Sequence, residues 1–120
     1  MRRPRVLLCV CRGCPGFERV DAWTLVNRLR DNPDVEFAVA HPQLCGDDGL
    51  RFLADLVRPA VTYLVGACDP ALQRKMLKET FTAAGVSFDG QVVPLDLRNM
   101  TTEEAAEKVA EAVRALRAGQ

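Results

Sequence analysis

Four times between Val6 and Leu116 a short apolar run gives way to a stretch with helical spacing, and this alternation constrains the chain more than any other feature. Val6-Leu7-Leu8-Cys9-Val10 is continuously apolar, as a strand buried on both faces requires. The turn-rich segment Arg12-Gly13-Cys14-Pro15-Gly16 follows. Asp21 is placed to cap a helix with Trp23, Val26 and Leu29 on one face, and Asn32-Pro33-Asp34 stops it. Val35 to Ala40 reads as a second strand. The loop His41-Pro42-Gln43-Leu44-Cys45 leads to a second helix carrying Leu50, Leu53, Leu56 and Val57, which ends at Pro59. Val61-Thr62-Tyr63-Leu64-Val65, β-branched and aromatic, is a third strand, with Gly66-Ala67-Cys68 as the turn after it.

Asp69-Pro70 is a helix start, a capping carboxylate followed by proline at the first helical position. Leu72, Met76, Leu77, Thr80, Phe81 and Ala84 line that helix, and Gly85 stands where a left-handed terminating residue belongs. Gln91 to Leu95 is a fourth strand, placed at a sheet edge because Pro94 cannot donate to a ladder. Thr101 to Glu104 has the capping-box pattern, and Val109, Val113 and Leu116 continue the last helix. We therefore expect residues 1–120 to form one α/β domain, with a mainly parallel four-stranded sheet, helices on both faces and a flavodoxin-like order.

Composition narrows the function classes. Sixteen Lys+Arg balance sixteen Asp+Glu, which argues against a nucleic-acid partner. Arg2, Arg3 and Arg5 cluster near the start and read as solvated flanking charges. No stretch approaches the ~20 apolar residues of a membrane span, and Leu7 to Val10 is too short for a signal segment, so no membrane role and a cytoplasmic location are expected. Five cysteines are many for 120 residues. Their odd number fits a disulfide framework poorly, and in a reducing compartment metal ligands or redox thiols are favoured.

All five fall where strands end and helices begin. Cys9 and Cys11 close the first strand, Cys14 is in the loop after it, Cys45 precedes the second helix, and Cys68 precedes the Asp69-Pro70 helix start. That edge is the ligand-binding edge of open α/β sheets. Cys45 and Cys68 lie near helix N-termini, where a lowered thiol pKa is expected. Gly13, Gly16, Gly46 and Gly66 would let backbone amides approach cluster sulfurs. Cys9-x-Cys11-x-x-Cys14 differs from the ferredoxin run, and zinc would take the same ligands. The plainer reading of each cysteine is a small buried hydrophobe, strongest for Cys9 inside its strand. Cys14 stays open between ligand, exchangeable thiol and bystander.

His41, the only histidine, reads as a solvated loop residue. Asp47 and Asp48 could form an acid–base pair, but favour the helix N-terminus electrostatically. Trp23 and Met76 fit core faces. No G-x-G-x-x-G follows any strand, so neither flavin nor NAD is expected on this chain.

The segments Leu8-Cys9-Val10-Cys11, Leu44-Cys45-Gly46-Asp47-Asp48-Gly49-Leu50 and Val65-Gly66-Ala67-Cys68-Asp69-Pro70, in that order, resemble the N-terminal domain of the A subunit of heterodisulfide reductase. Ala83-Ala84-Gly85-Val86 and Leu97-Arg98-Asn99 extend the likeness over nearly the whole chain. The cysteine-rich first turn and the Cys68 turn are also similar to the small delta subunit of methyl-viologen-reducing hydrogenase. The resemblance implies electron transfer through an iron–sulfur cluster, [4Fe–4S] or [2Fe–2S], with Cys9, Cys11, Cys45 and Cys68 as ligands and Cys14 as substitute. Val10 stands where the family often has His, Arg12 where it has Gly, and Gln73 near a family His. The family's flavin domain and ferredoxin modules are absent from this sequence.

The resulting expectation is an iron–sulfur electron-transfer subunit or accessory protein of a heterodisulfide-reductase-like complex, not itself catalytic. Its partners would be flavoprotein or ferredoxin-type subunits docking over the cysteine edge, near Arg12, Pro15, Phe17, His41, Leu44 and Asp69. Two other classes compete: a thiol–disulfide or persulfide-handling protein using Cys11 and Cys14, and a non-redox interaction module.

Overall fold

The computed structural model describes residues 3–10 and 15–119. Cys11 and Cys14 lie outside the described residues. Four strands, β1 (Arg5–Cys9), β2 (Phe37–His41), β3 (Tyr63–Ala67) and β4 (Val92–Asp96), form one sheet in the order β2-β1-β3-β4. Every pairing is parallel, with Cys9 opposite His41 and Leu8 opposite Gly66. The helices are α1 (Ala22–Arg30), α2 (Asp47–Leu56), α3 (Pro70–Ala83), the short α4 (Phe88–Gln91) and α5 (Thr102–Ala118). This is the expected α/β architecture, with a flavodoxin-like strand order.

The period-two alternation of strands divides the core into two layers. Leu7 and Cys9 of β1 join Tyr63, Val65 and Ala67 of β3 beneath α2 and α3, against Leu53, Leu77 and Phe81. Val6, Leu8 and Leu64 face the other way, against Leu25 and Leu29 of α1 and Val109 and Val113 of α5. Both central strands are buried on both faces, hence their continuous apolar sequence.

The local signals produce the caps they promise. Asp21 accepts from the Thr24 amide, Asp69 from the Ala71 amide, and Thr101 and Glu104 close a capping box. Gly85 follows the end of α3 with φ of 85°, a conformation that L side chains rarely adopt.

Several expectations need correction. Trp23 is 81% exposed, and Leu72 and Met76 are also exposed. Leu25 and Leu29 set the inner stripe of α1, which turns Trp23 away from it. Gln73, Leu77 and Phe81 set the stripe of α3, leaving Leu72 and Met76 beside it. β3 runs through Gly66 and Ala67 instead of turning there, because both stay paired with β4, opposite Leu95 and Asp96. Arg5 is no solvated flanking charge: its guanidinium pairs with Glu36 at 3.1 Å, donates to the Tyr63 hydroxyl and lies over the Phe37 ring. We expect Trp23→Ser to change stability by less than about 0.5 kcal/mol in urea unfolding, a surface-substitution effect. A loss above about 2 kcal/mol would contradict this placement.

Candidate functional site

The C-terminal edge of the sheet is assembled by three connections. Cys9 ends β1, buried, with its side chain on the α2/α3 face. The β2–α2 loop bends over that end, and the Leu44 backbone N–H donates to Cys9 Sγ at 3.3 Å. Cys45 follows Leu44, half-buried, packed against the same cluster of apolar side chains. Cys68 follows β3, also half-buried. The topology thus places Cys9, Cys45 and Cys68 on one edge of the sheet. Among the described residues, no three His, Cys, Asp or Glu side chains stand in a group that could hold a metal ion.

The loop carrying Cys45 is held by His41. The Gln43 N–H donates to His41 Nδ1 at 2.9 Å, which leaves the proton of a neutral ring on Nε2, 2.9 Å from Asp48 Oδ2. The ring also stacks on Phe52. His41 is therefore not the solvated loop residue expected; it ties the end of β2 to the first turn of α2. Asp47 and Asp48 both occupy that first turn, where carboxylates suit the helix dipole. Gly49 completes the loop's support. A Cβ there would lie 2.1 Å from the Gln43 carbonyl oxygen, so only glycine lets α2 press against this backbone.

The Cys68 turn is fixed from beneath. The Leu97 N–H donates to the Ala67 carbonyl at 2.9 Å. Gln73, 2% exposed, donates from Nε2 to the Cys68 carbonyl at 2.8 Å and to the Leu95 carbonyl at 3.1 Å. Its Oε1 is buried and has no partner among the described residues. Gln73 is the site residue that sequence reading underrated; a lone amide among Leu72, Leu77 and Phe81 was the available signal.

Burial pushes the Cys68 thiol up, outweighing a bond from its own backbone and the pull of Arg98. The lowered pKa expected from its helix N-terminus is therefore corrected for the metal-free protein, because desolvation dominates. The described glycines have packing and capping roles of their own. Gly66 makes room for Leu97 and Leu8, Gly46 is the N-cap of α2, and Gly16, at φ of 112°, lies under the Arg98 side chain. Gly13 lies outside the described residues.

Of the residues expected at a docking surface, Leu44 is buried in the chain's own core and His41 is engaged as above. Phe17 is half-buried against the α1/α5 layer, whereas Pro15 and Asp69 are exposed. Arg12 lies outside the described residues. A separate groove of about 970 Å³ runs along β2 on the α1 side, lined among others by Phe17, Trp23, Val26, Val39 and Pro42. Its lining takes in Ala38 from one layer and Val39 from the other, at the open edge of β2.

Asp96, at the end of β4, flanks the Cys68 turn. The Arg98 guanidinium holds its carboxyl below the usual carboxylate range. With the folded pKa below the unfolded one, this contribution is present above pH ~3.9 and lost as pH falls through the folded value. Asp96→Asn should therefore cost up to about 1 kcal/mol at pH 7 and almost nothing at pH ~2, read by thermal melts at both. An equal loss at both pH values would contradict it.

The fold and the edge define a class: an all-parallel α/β domain whose described cysteines meet at the carboxyl ends of its strands. No family model matches the chain, and no curated protein matches it.

Proposed function

We propose that this domain holds an iron–sulfur cluster at the C-terminal edge of its sheet and passes electrons between partner subunits. The observation that carries the reading is the placement of Cys9, Cys45 and Cys68, at the ends of two strands and the start of one helix, on a single edge of the sheet. Cysteines used merely as small core residues would have no reason to share one edge. The ligands are these three with Cys11, and Cys14 as substitute. The chemistry of the donor set fits: thiolates are the ligands that iron–sulfur clusters take. The Leu44 amide already directed at Cys9 Sγ is the kind of N–H···S contact that tunes such centres. When bound, the cluster supplies one-electron transfer.

The chain's own residues do the rest. His41, Asp48 and Gly49 hold the Cys45 loop against α2. Burial disfavours the Cys68 thiolate, the form that loading with a cluster would require. In this reading the chain resembles the heterodisulfide reductase domain in role as well as in motif order. Its partners are flavoprotein or ferredoxin-type redox subunits, and it works in the cytoplasm.

Reconstitution tests this. Metal-free protein is incubated anaerobically with iron(II) and sulfide under reducing conditions, then desalted. Retained visible absorption that bleaches with dithionite supports the proposal. Protein that emerges colourless, with all its thiols still titratable, refutes it. A thiol–disulfide role would instead show as exchange activity lost on serine substitution at Cys11 or Cys14 alone.

A further inference from the structure

Among the described residues, Gln73 is the only buried one that carries an amide or a charge. A polar side chain in an apolar layer is costly unless its bonds compensate. Its amide spans two elements, donating to the carbonyl of Cys68 in the β3–α3 turn and to that of Leu95 in β4. Leucine or methionine in its place would fill the volume without either bond. The amide also leaves Oε1 buried with no partner among the described residues, a cost that packing alone would not require.

We propose that Gln73 is a positioning residue for Cys68. It anchors the Cys68 carbonyl to the end of β4, and so fixes the direction in which that thiol leaves the sheet edge. The other holds on this turn are backbone bonds or lie to one side of Cys68. The Leu97 N–H reaches the Ala67 carbonyl, and Asp69 caps α3 through the Ala71 amide. Only Gln73 ties the Cys68 residue itself to another strand, among the bonds described. Cys45 has no corresponding tie to Gln73; its loop is held by His41 and Asp48. The two thiols therefore have separate supports, and loosening one should leave the other in place.

The proposal rests on Cys68 being a working thiol of the edge, but its test does not require a cluster. The probe is iodoacetamide on metal-free, reduced protein, with alkylation followed per cysteine by mass spectrometry at one fixed pH. Gln73→Met, similar in size but without a donor, should raise the Cys68 rate about tenfold, as loss of two hydrogen bonds frees local opening. Cys45 should change by less than about twofold, because its own bonds are untouched. Gln73→His, which restores a ring N–H, should return Cys68 toward the parent rate. Leu77→Ala, one turn along the same helix, controls for general loosening and should not single out Cys68.

A parental Cys68 rate in Gln73→Met would overturn the proposal, as would equal acceleration of Cys45 and Cys68 or failure of histidine to rescue. If Gln73→Met does not fold, Gln73→Asn takes its place: its amide is one methylene too short for both carbonyls and should show the same selective rise. Iron and sulfide content is measured separately, so failure of the cluster reading and failure of this one are told apart.

Discussion

Gly49→Ala is expected to cost at least about 3 kcal/mol, the upper range of overpacking, and to lower Tm by about 10 °C or more. The new Cβ would lie 2.1 Å from the Gln43 carbonyl oxygen and 2.4 Å from that of Leu44. Both are backbone atoms, so no rotamer change relieves the contact. Either α2 shifts or the loop does. The loop is poorly free to move, because Leu44 is buried and its N–H is bonded to Cys9 Sγ. The effect therefore reaches beyond stability to the site, since Cys45 is the next residue along. Gly46→Ala is the comparison. There the added atom meets the flexible Gln43 side chain at 3.2 Å, and a loss below about 1 kcal/mol is expected. Chemical denaturation of both variants reads the difference. A Gly49→Ala protein as stable as Gly46→Ala would show that α2 does not rest on the loop backbone.

Serine at Cys45 or at Cys68 should remove most of the iron and sulfide that reconstituted protein retains, while the fold persists. Both residues are half-buried in βα connections, Cys45 at the margin of the α2/α3-side layer, so the oxygen-for-sulfur change costs less than at a fully buried position. Cys9→Ser is a different case. Its sulfur is buried and accepts from Leu44, so that variant should lose stability as well as iron. Iron content and circular dichroism measured on the same samples separate the two outcomes. Equal iron in the parent and in both half-buried variants would remove those cysteines from the ligand set.

How far the molecule could be read in advance depends on how local each cause is. Asp69-Pro70 and Thr101 to Glu104 act within a single helical turn, and both formed the caps their sequence promises. The parallel sheet followed from alternation, and the meeting of Cys9, Cys45 and Cys68 followed from the rule that βα connections share one edge. What failed to show was tertiary. The inner face of α1 depends on which of Leu25, Leu29 and Trp23 the sheet meets, and a short helix can rotate by one residue without breaking its pattern. The role of Gly49 arises from a loop carbonyl, and no spacing reveals it. Desolvation at Cys68 likewise comes from its packed surroundings, and it reversed the shift that a helix N-terminus alone would give. The four-residue α4 is too brief for any periodicity.

The most direct measurement is the iron, zinc and acid-labile sulfide content of protein purified without exposure to oxygen. Iron and sulfide in comparable amounts, with little zinc, is the result this account predicts. Zinc without sulfide would contradict it and leave a structural metal site in place of an electron carrier.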